Sequence, residues 1–123
     1  MPVSEPPLII GLGLGKQERI RRRSEFLAVI KHGARYSTRN FVILVRENDK
    51  NSRRLGIVVS KKVGGAVKRN RVKRLVREFF RLHKEQLPEA SDIVFVAKSE
   101  SIHLDYAALC KEMSAFFSDL SAA

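Results

Sequence analysis

The 123-residue chain is predicted to fold as one α+β domain, on three observations. Segments with helical spacing of apolar residues alternate with short β-branched runs, in the order α, β, β, α, β, α. Apolar residues make up 44% of the chain, enough for a working core at this length and too many for a basic disordered tail. Glycine, proline and hydrophilic clusters punctuate the boundaries between the segments.

Residues 1–15 are expected to form a flexible N-terminal tail, and residues 16–123 the single domain. Pro6, Pro7, Gly11, Gly13 and Gly15 oppose regular structure, and the glycine run has neither the lysine-serine pair nor the long strand of a phosphate loop. The tail has no basic region ahead of an apolar stretch, so it does not read as a signal peptide. Ser24 is positioned to cap a short helix ending near His32, with Phe26, Leu27, Val29 and Ile30 as its apolar face and Gly33 as its stop. Two β-rich runs follow, Phe41 to Arg46 and Leu55 to Lys62. The hydrophilic stretch Glu47 to Ser52 between them suits a hairpin or a slightly longer loop. Ala34 to Ser37 carries a weak signal for one more strand. The next helix begins near Ala66, and Val72, Leu75, Val76, Phe79, Phe80, His83 and Leu87 recur on one face until Pro88. A 100° step per residue sets Asn70, Lys73, Arg74, Arg77, Arg81 and Lys84 opposite that face. Asp92 to Lys98 reads as a strand, and Asp105 as the N-cap of a final helix that buries Tyr106, Leu109, Cys110, Met113, Phe116, Phe117 and Leu120.

Charge points to the kind of partner. Between Lys16 and Lys84 stand 22 basic and 5 acidic residues, a local excess of +17 within a chain whose net charge is +11. Such a segment attracts a polyanion, because the counterions it displaces drive association. No apolar run approaches the length of a membrane span. A lone cysteine, Cys110, allows no internal disulfide and fits the cytoplasm.

The decisive stretch runs from Lys61 to Arg77. A strand ends in Lys61-Lys62, Gly64-Gly65 turns the chain, and the helix opens with five cations between Lys68 and Arg74. Cations at a helix N-terminus oppose the macrodipole, by about 0.3–1 kcal/mol each, so helix stability alone does not select them. A bound polyanion reverses that sign. Arginine offers a planar fork for phosphate, and Asn70 can reach a base edge or a ribose hydroxyl.

Val67 to Arg77 closely resembles the arginine-asparagine-arginine signature of the bacterial ribonuclease P protein family. The similarity extends over about residues 14–120, through Arg19 to Gly33, Asn40 to Val45, the Ser-Lys-Lys strand Leu55 to Val63, Ser91 to Ala97 and the closing helix. The resemblance implies a two-layer α/β sandwich on a mixed, mainly four-stranded sheet, with a left-handed βαβ crossover through the basic helix. It implies an accessory protein subunit, with hydrolysis of the precursor tRNA 5′ leader carried by a catalytic RNA and its Mg2+ ions. No metal or other cofactor is expected on the protein. The partners implied are the catalytic RNA and precursor tRNA, with no membrane and no protein partner required. By the resemblance, Lys61, Lys68, Arg69, Asn70, Arg71, Lys73, Arg74 and Arg77 contact the catalytic RNA. Phe26, Ile30, Val42, Leu44, Val58, Ser60 and Lys62 line the leader cleft. Strand alternation supports the cleft independently. Leu55, Ile57 and Val59 form a bulky face, whereas Gly56, Val58, Ser60 and Lys62 form a small, polar, then cationic one. Aromatics are common in the family where Ile30 and Leu44 stand, so base stacking in the cleft is expected to be weaker.

Other function classes fit less well. His32, His83 and His103 share no motif, no paired carboxylates have metal-ligand spacing, and no residue is assigned a catalytic role. A ribosomal or general RNA-binding or chaperone protein would share the charge and the α/β pattern without requiring the whole signature. A helix-turn-helix DNA reader would need a scaffold helix, not a strand, before its basic helix.

Overall fold

The computed structural model describes residues 18–122. The tail expected over residues 1–15 lies outside the described residues. Three helices and four strands follow one another as α1 (Arg23–His32), β1 (Ala34–Ser37), β2 (Phe41–Glu47), β3 (Arg54–Val58), α2 (Ala66–His83), β4 (Ser91–Ala97) and α3 (Tyr106–Ala122). Short 3-10 turns, Lys84–Gln86 and Ser99–His103, flank β4. The weakly signalled strand is real and forms β1.

Ser24 does not cap α1. The first turn closes on Arg22, whose carbonyl accepts the N–H groups of Glu25 and Phe26, so Ser24 already lies inside the helix. Gly33 does stop it, by donating to the Val29 carbonyl at 2.8 Å. A Cβ at Gly33 would come within 2.6 Å of that same oxygen, so close approach of the backbone selects glycine here. At the other end of the chain Asp105 caps α3, its Oδ1 accepting from the Ala108 N–H at 2.8 Å.

The sheet is mixed, in the order β1-β2-β4-β3, antiparallel except for the parallel β3–β4 pair. β2 and β3 therefore do not form the hairpin that their spacing suggested, because β4 lies between them. β4 is nearly all apolar, and both of its faces are buried, through Ile93 and Phe95 on one side and Val94 on the other. A central place in the sheet is what such a strand requires. The crossover from β3 to β4 is α2.

The helices divide between the two faces of the sheet. α2 and α3 cover one face, where Phe41, Ile43, Leu55, Ile57, Ile93 and Phe95 meet Val72, Val76, Phe79 and Phe80 of α2 and Leu109, Met113 and Phe116 of α3. α1 alone lies on the other face, adding a partial third layer to the expected two. There Ile20, Phe26 and Val29 bury Leu44 and Val94. Arg54 fastens α1 down. Its Nε and Nη2 donate to the two oxygens of Asp92, both at 2.8 Å, and its Nη1 donates to Glu25 of α1 at 3.2 Å. Asp92 and Glu25 both push the Arg54 pKa up, Asp92 more strongly, so this nearly buried cation stays charged.

Candidate nucleic-acid interface

The cationic surface is mounted on the turn between β3 and α2. Val63 and Gly64 donate back to the carbonyls of Ser60 and Lys61, closing a tight turn. Gly64 has φ of 151°, and a Cβ there would meet the Lys68 side chain at 2.9 Å, so both conformation and space select glycine. Ser60 and Lys62 belong to this turn and not to a strand, since β3 ends at Val58. They stand exposed beyond its end.

α2 then rises from Gly65 with no side-chain cap and no acidic residue in its first turn. Lys61, Lys68, Asn70, Arg71 and Arg74 are exposed. Arg69 is half-buried and donates to the Gly64 carbonyl at 2.9 Å, so part of its donor set holds the turn. Arg71 reaches the Ile102 carbonyl at 3.3 Å and bridges α2 to the turn before α3. Lys73 is half-buried and engaged within the protein.

Arg77 departs from the expected exposed face. It is only 6% exposed and has an interaction partner within the protein. The 100° rule places Lys73, Arg77 and Lys84 along one flank of α2. The segment before α1 lies close to that flank: Arg19 bridges to Leu55 of β3, Ile20 donates to the Leu55 carbonyl, and Glu18 pairs with Lys84. The buried arc of α2 is thus wider than the strip that packs on the sheet, and Arg77 falls within it. The exposed polar surface on the first turns of this helix is the narrower stripe of Lys68, Asn70, Arg71 and Arg74.

The strand register defines the second candidate surface. On the α1 side of the sheet, side chains align in three rows across β2, β4 and β3: Arg46-Asp92-Arg54, Leu44-Val94-Gly56 and Val42-Val96-Val58. α1 covers the middle row. The Phe26 ring sits on Gly56 so closely that a Cβ there would meet it at 2.5 Å. Gly56 is therefore small because the helix needs the room. The same packing leaves Leu44 only 2% exposed, so it forms the base of the small core and offers no surface for a ligand. Its place in the cleft lining is corrected accordingly. Phe26 is also largely buried, and Ile30, 41% exposed, forms the rim. The third row is half-open: Val42, Val96 and Val58 are each only partly buried.

The sequence reading missed Val96, which the register sets between Val42 and Val58, and Ser37, which it sets beside Val42. Lys98 closes that end of the row, donating to the Ser37 hydroxyl at 3.0 Å and the Thr38 carbonyl at 2.6 Å. The alternation of Asp92, Val94, Val96 and Lys98 was a usable signal for the face but not for the neighbours. The open row is an apolar floor with polar and cationic ends. Among the described residues, no three His, Cys, Asp or Glu side chains gather as metal ligands.

The sequence and the fold both have known relatives. A family model described as Ribonuclease P matches residues 14–121. The chain is 50% identical over 102 residues to the ribonuclease P protein component of Syntrophus aciditrophicus, covering 83% of this chain and 86% of that one. Among solved structures it is similar to the RNase P protein from Thermotoga maritima, with TM-score 0.73, 36% identity, and coverage of 81% and 94% of the two chains. The Staphylococcus aureus RNase P protein gives TM-score 0.72, 33% identity, and coverage of 80% and 90%.

Proposed function

This chain belongs to the ribonuclease P protein family, and from that membership we propose that its two exposed surfaces serve two different RNAs. It is the protein subunit of an endoribonuclease ribonucleoprotein acting in tRNA 5′ maturation, and it associates with ribonuclease P RNA. The rival readings as a ribosomal protein or general chaperone give way to that membership.

The stripe of Lys68, Asn70, Arg71 and Arg74, with Lys61 beside it, binds the catalytic RNA. One observation carries this reading: four exposed polar residues, three of them cations, crowd the first turns of a helix that has no acidic residue there. Helix dipole and side chains repel one another until phosphates arrive, and both then favour the phosphates. The Val42-Val96-Val58 floor, rimmed by Ile30 and ended by Ser60, Lys62 and Lys98, receives the single-stranded leader of precursor tRNA. Its apolar floor suits bases and its cationic ends suit phosphates. Hydrolysis belongs to the catalytic RNA and its Mg2+. This chain lowers the repulsion between the catalytic RNA and its substrate and holds the leader in register. Such a protein works in the cytoplasm and needs no further protein partner.

Arg74→Ala tests the assignment. It should weaken binding to the catalytic RNA and reduce the slope of log affinity against log salt by about 0.7–0.9 while leaving the melting temperature unchanged. An unaltered slope across several salt concentrations would remove the helix stripe from the RNA.

A further inference from the structure

A third cationic site lies where neither proposed surface reaches. At the beginning of β3, a cavity of about 690 Å³ is lined by Arg19, Arg21, Arg22, Lys50, Ser52, Arg54 and Glu25. Among the described residues that line it, Glu25 is the only carboxylate, and Arg54 already engages it. Arg54 in turn is held by Asp92. Arg19, Arg21, Arg22 and Lys50 bring four positive charges to one open space. Glu47 and Asp49 line the adjoining cavity, which shares Lys50 with this one, so the three arginines carry most of the excess charge. Residues 1–17 contain a single acidic residue, Glu5, too few to neutralise the four.

A second observation concerns Arg19. The residue is only partly buried, yet its Nε is enclosed and has no hydrogen-bond partner among the described residues. An unpaired guanidinium donor is unfavourable, and a turn of the side chain toward an anion in the cavity satisfies it. Three arginines and a lysine around one cavity match the several oxygens of a phosphate, and arginine forks suit that geometry.

Position narrows the ligand to RNA. β3 is the last of the four strands, its edge paired at Leu55 by the Arg19-Ile20 segment, with the Arg19 cavity near its start and the cationic turn and helix at its end. Four residue steps of about 3.3 Å separate Arg54 from Val58, so one nucleic-acid backbone passing over this side of the molecule spans both. We propose that the cavity formed by Arg19, Arg21, Arg22 and Lys50 is a second phosphate-binding site, which takes a backbone phosphate of RNA at the end of β3 opposite the arginine-rich helix. This inference rests on the reading of the protein as a ribonuclease P subunit. The phosphate comes either from the catalytic RNA or from the precursor tRNA leader where it runs beyond the cleft.

Arg21→Ala/Arg22→Ala, assembled as the full chain with catalytic RNA, tests it, because both residues are exposed. Arg39→Ala/Lys111→Ala, exposed residues beside a different cavity, removes the same charge as a control. If the catalytic RNA supplies the phosphate, the test variant binds it on the order of tenfold more weakly, and the salt slope falls by about 0.7–0.9 for each phosphate no longer neutralised. If the leader supplies it, catalytic-RNA affinity is unchanged. The holoenzyme then binds long-leader precursor more weakly, with no change for precursor carrying a one-nucleotide leader. Wild-type behaviour in both assays, or an equal loss in the control, overturns the site. Arg74→Ala is measured alongside. An effect there with none at Arg21 and Arg22 rejects this cavity alone, whereas silence at Arg74 with an effect at Arg21 and Arg22 removes the helix stripe and leaves the cavity.

Discussion

The two faces of one four-stranded sheet have opposite fates. On the α2 and α3 side, two long helices seal a continuous core rich in phenylalanine, including Phe41, Phe79, Phe80, Phe95 and Phe116. On the α1 side, a ten-residue helix covers one row of side chains and leaves the valine row half-open. The first face has enough apolar area to stabilise the domain, so the second can remain incompletely covered and available to a ligand. Stability and binding are thereby separated across a single layer of backbone.

The sharpest test of that separation is a truncation on the sealed face. Phe80→Ala should destabilise the protein by about 3–5 kcal/mol, read by denaturant unfolding, because Phe80 is fully buried within the aromatic core. If Val58→Ala on the open face costs as much, the two faces are not energetically distinct.

Arg77→Ala comes next. Its burial predicts a destabilisation of about 1–3 kcal/mol, through poorer packing and removal of an internal interaction. Exposed Arg74 should instead show the binding defect. A stable Arg77→Ala protein with a reduced salt slope would return Arg77 to the RNA-facing stripe.

Val58→Asp introduces a charge on the open floor. Precursor tRNA with a long leader should bind the holoenzyme on the order of tenfold more weakly, while catalytic-RNA affinity is preserved. Repulsion of this kind acts within a Debye length of about 8 Å. Circular dichroism establishes first that the variant is folded, and a one-nucleotide leader should abolish the difference from wild type. Weaker catalytic-RNA binding in the same variant would merge the two surfaces into one.

The smallest effect belongs to Tyr106. Burial, reinforced by the neighbouring Cys110, raises its hydroxyl to about 12 from the usual 10. The folded state therefore holds the phenolic proton more tightly than the unfolded state. That contribution is fully present below pH 10 and is lost as pH rises toward 12. Tyr106→Phe should flatten the decline in melting temperature over that window. An unchanged decline would show that Tyr106 is not responsible for it.

Some features of the site are local and others are not. The 3.6-residue period of α2 and its abundance of cations belong to consecutive residues, so the exposed stripe of Lys68, Asn70, Arg71 and Arg74 was legible. Arg77 was misplaced because burial is set by tertiary neighbours, and on this flank even Lys84 pairs with Glu18, more than 60 residues away in the chain. The open valine row was half-legible. Alternation in β3 identified Gly56 and Val58 as facing the same way, but Leu44 and Val96 needed the register of three strands.

The sequence by itself determined the α+β class, the three helices and three of the four strands, with β1 only weakly signalled, the charge segregation and the signature that marks the family. The signature is legible as a resemblance, and the rest follow from local periodicity, turn chemistry and composition. Only the tertiary structure decided that β4 inserts between β2 and β3, that α1 lies alone on one face, and which cations remain in solvent. Strand order and burial depend on which faces meet across long stretches of chain, and no spacing within one segment encodes its neighbour. β4 made the choice here, because a strand apolar on both faces is stable only at the centre of the sheet.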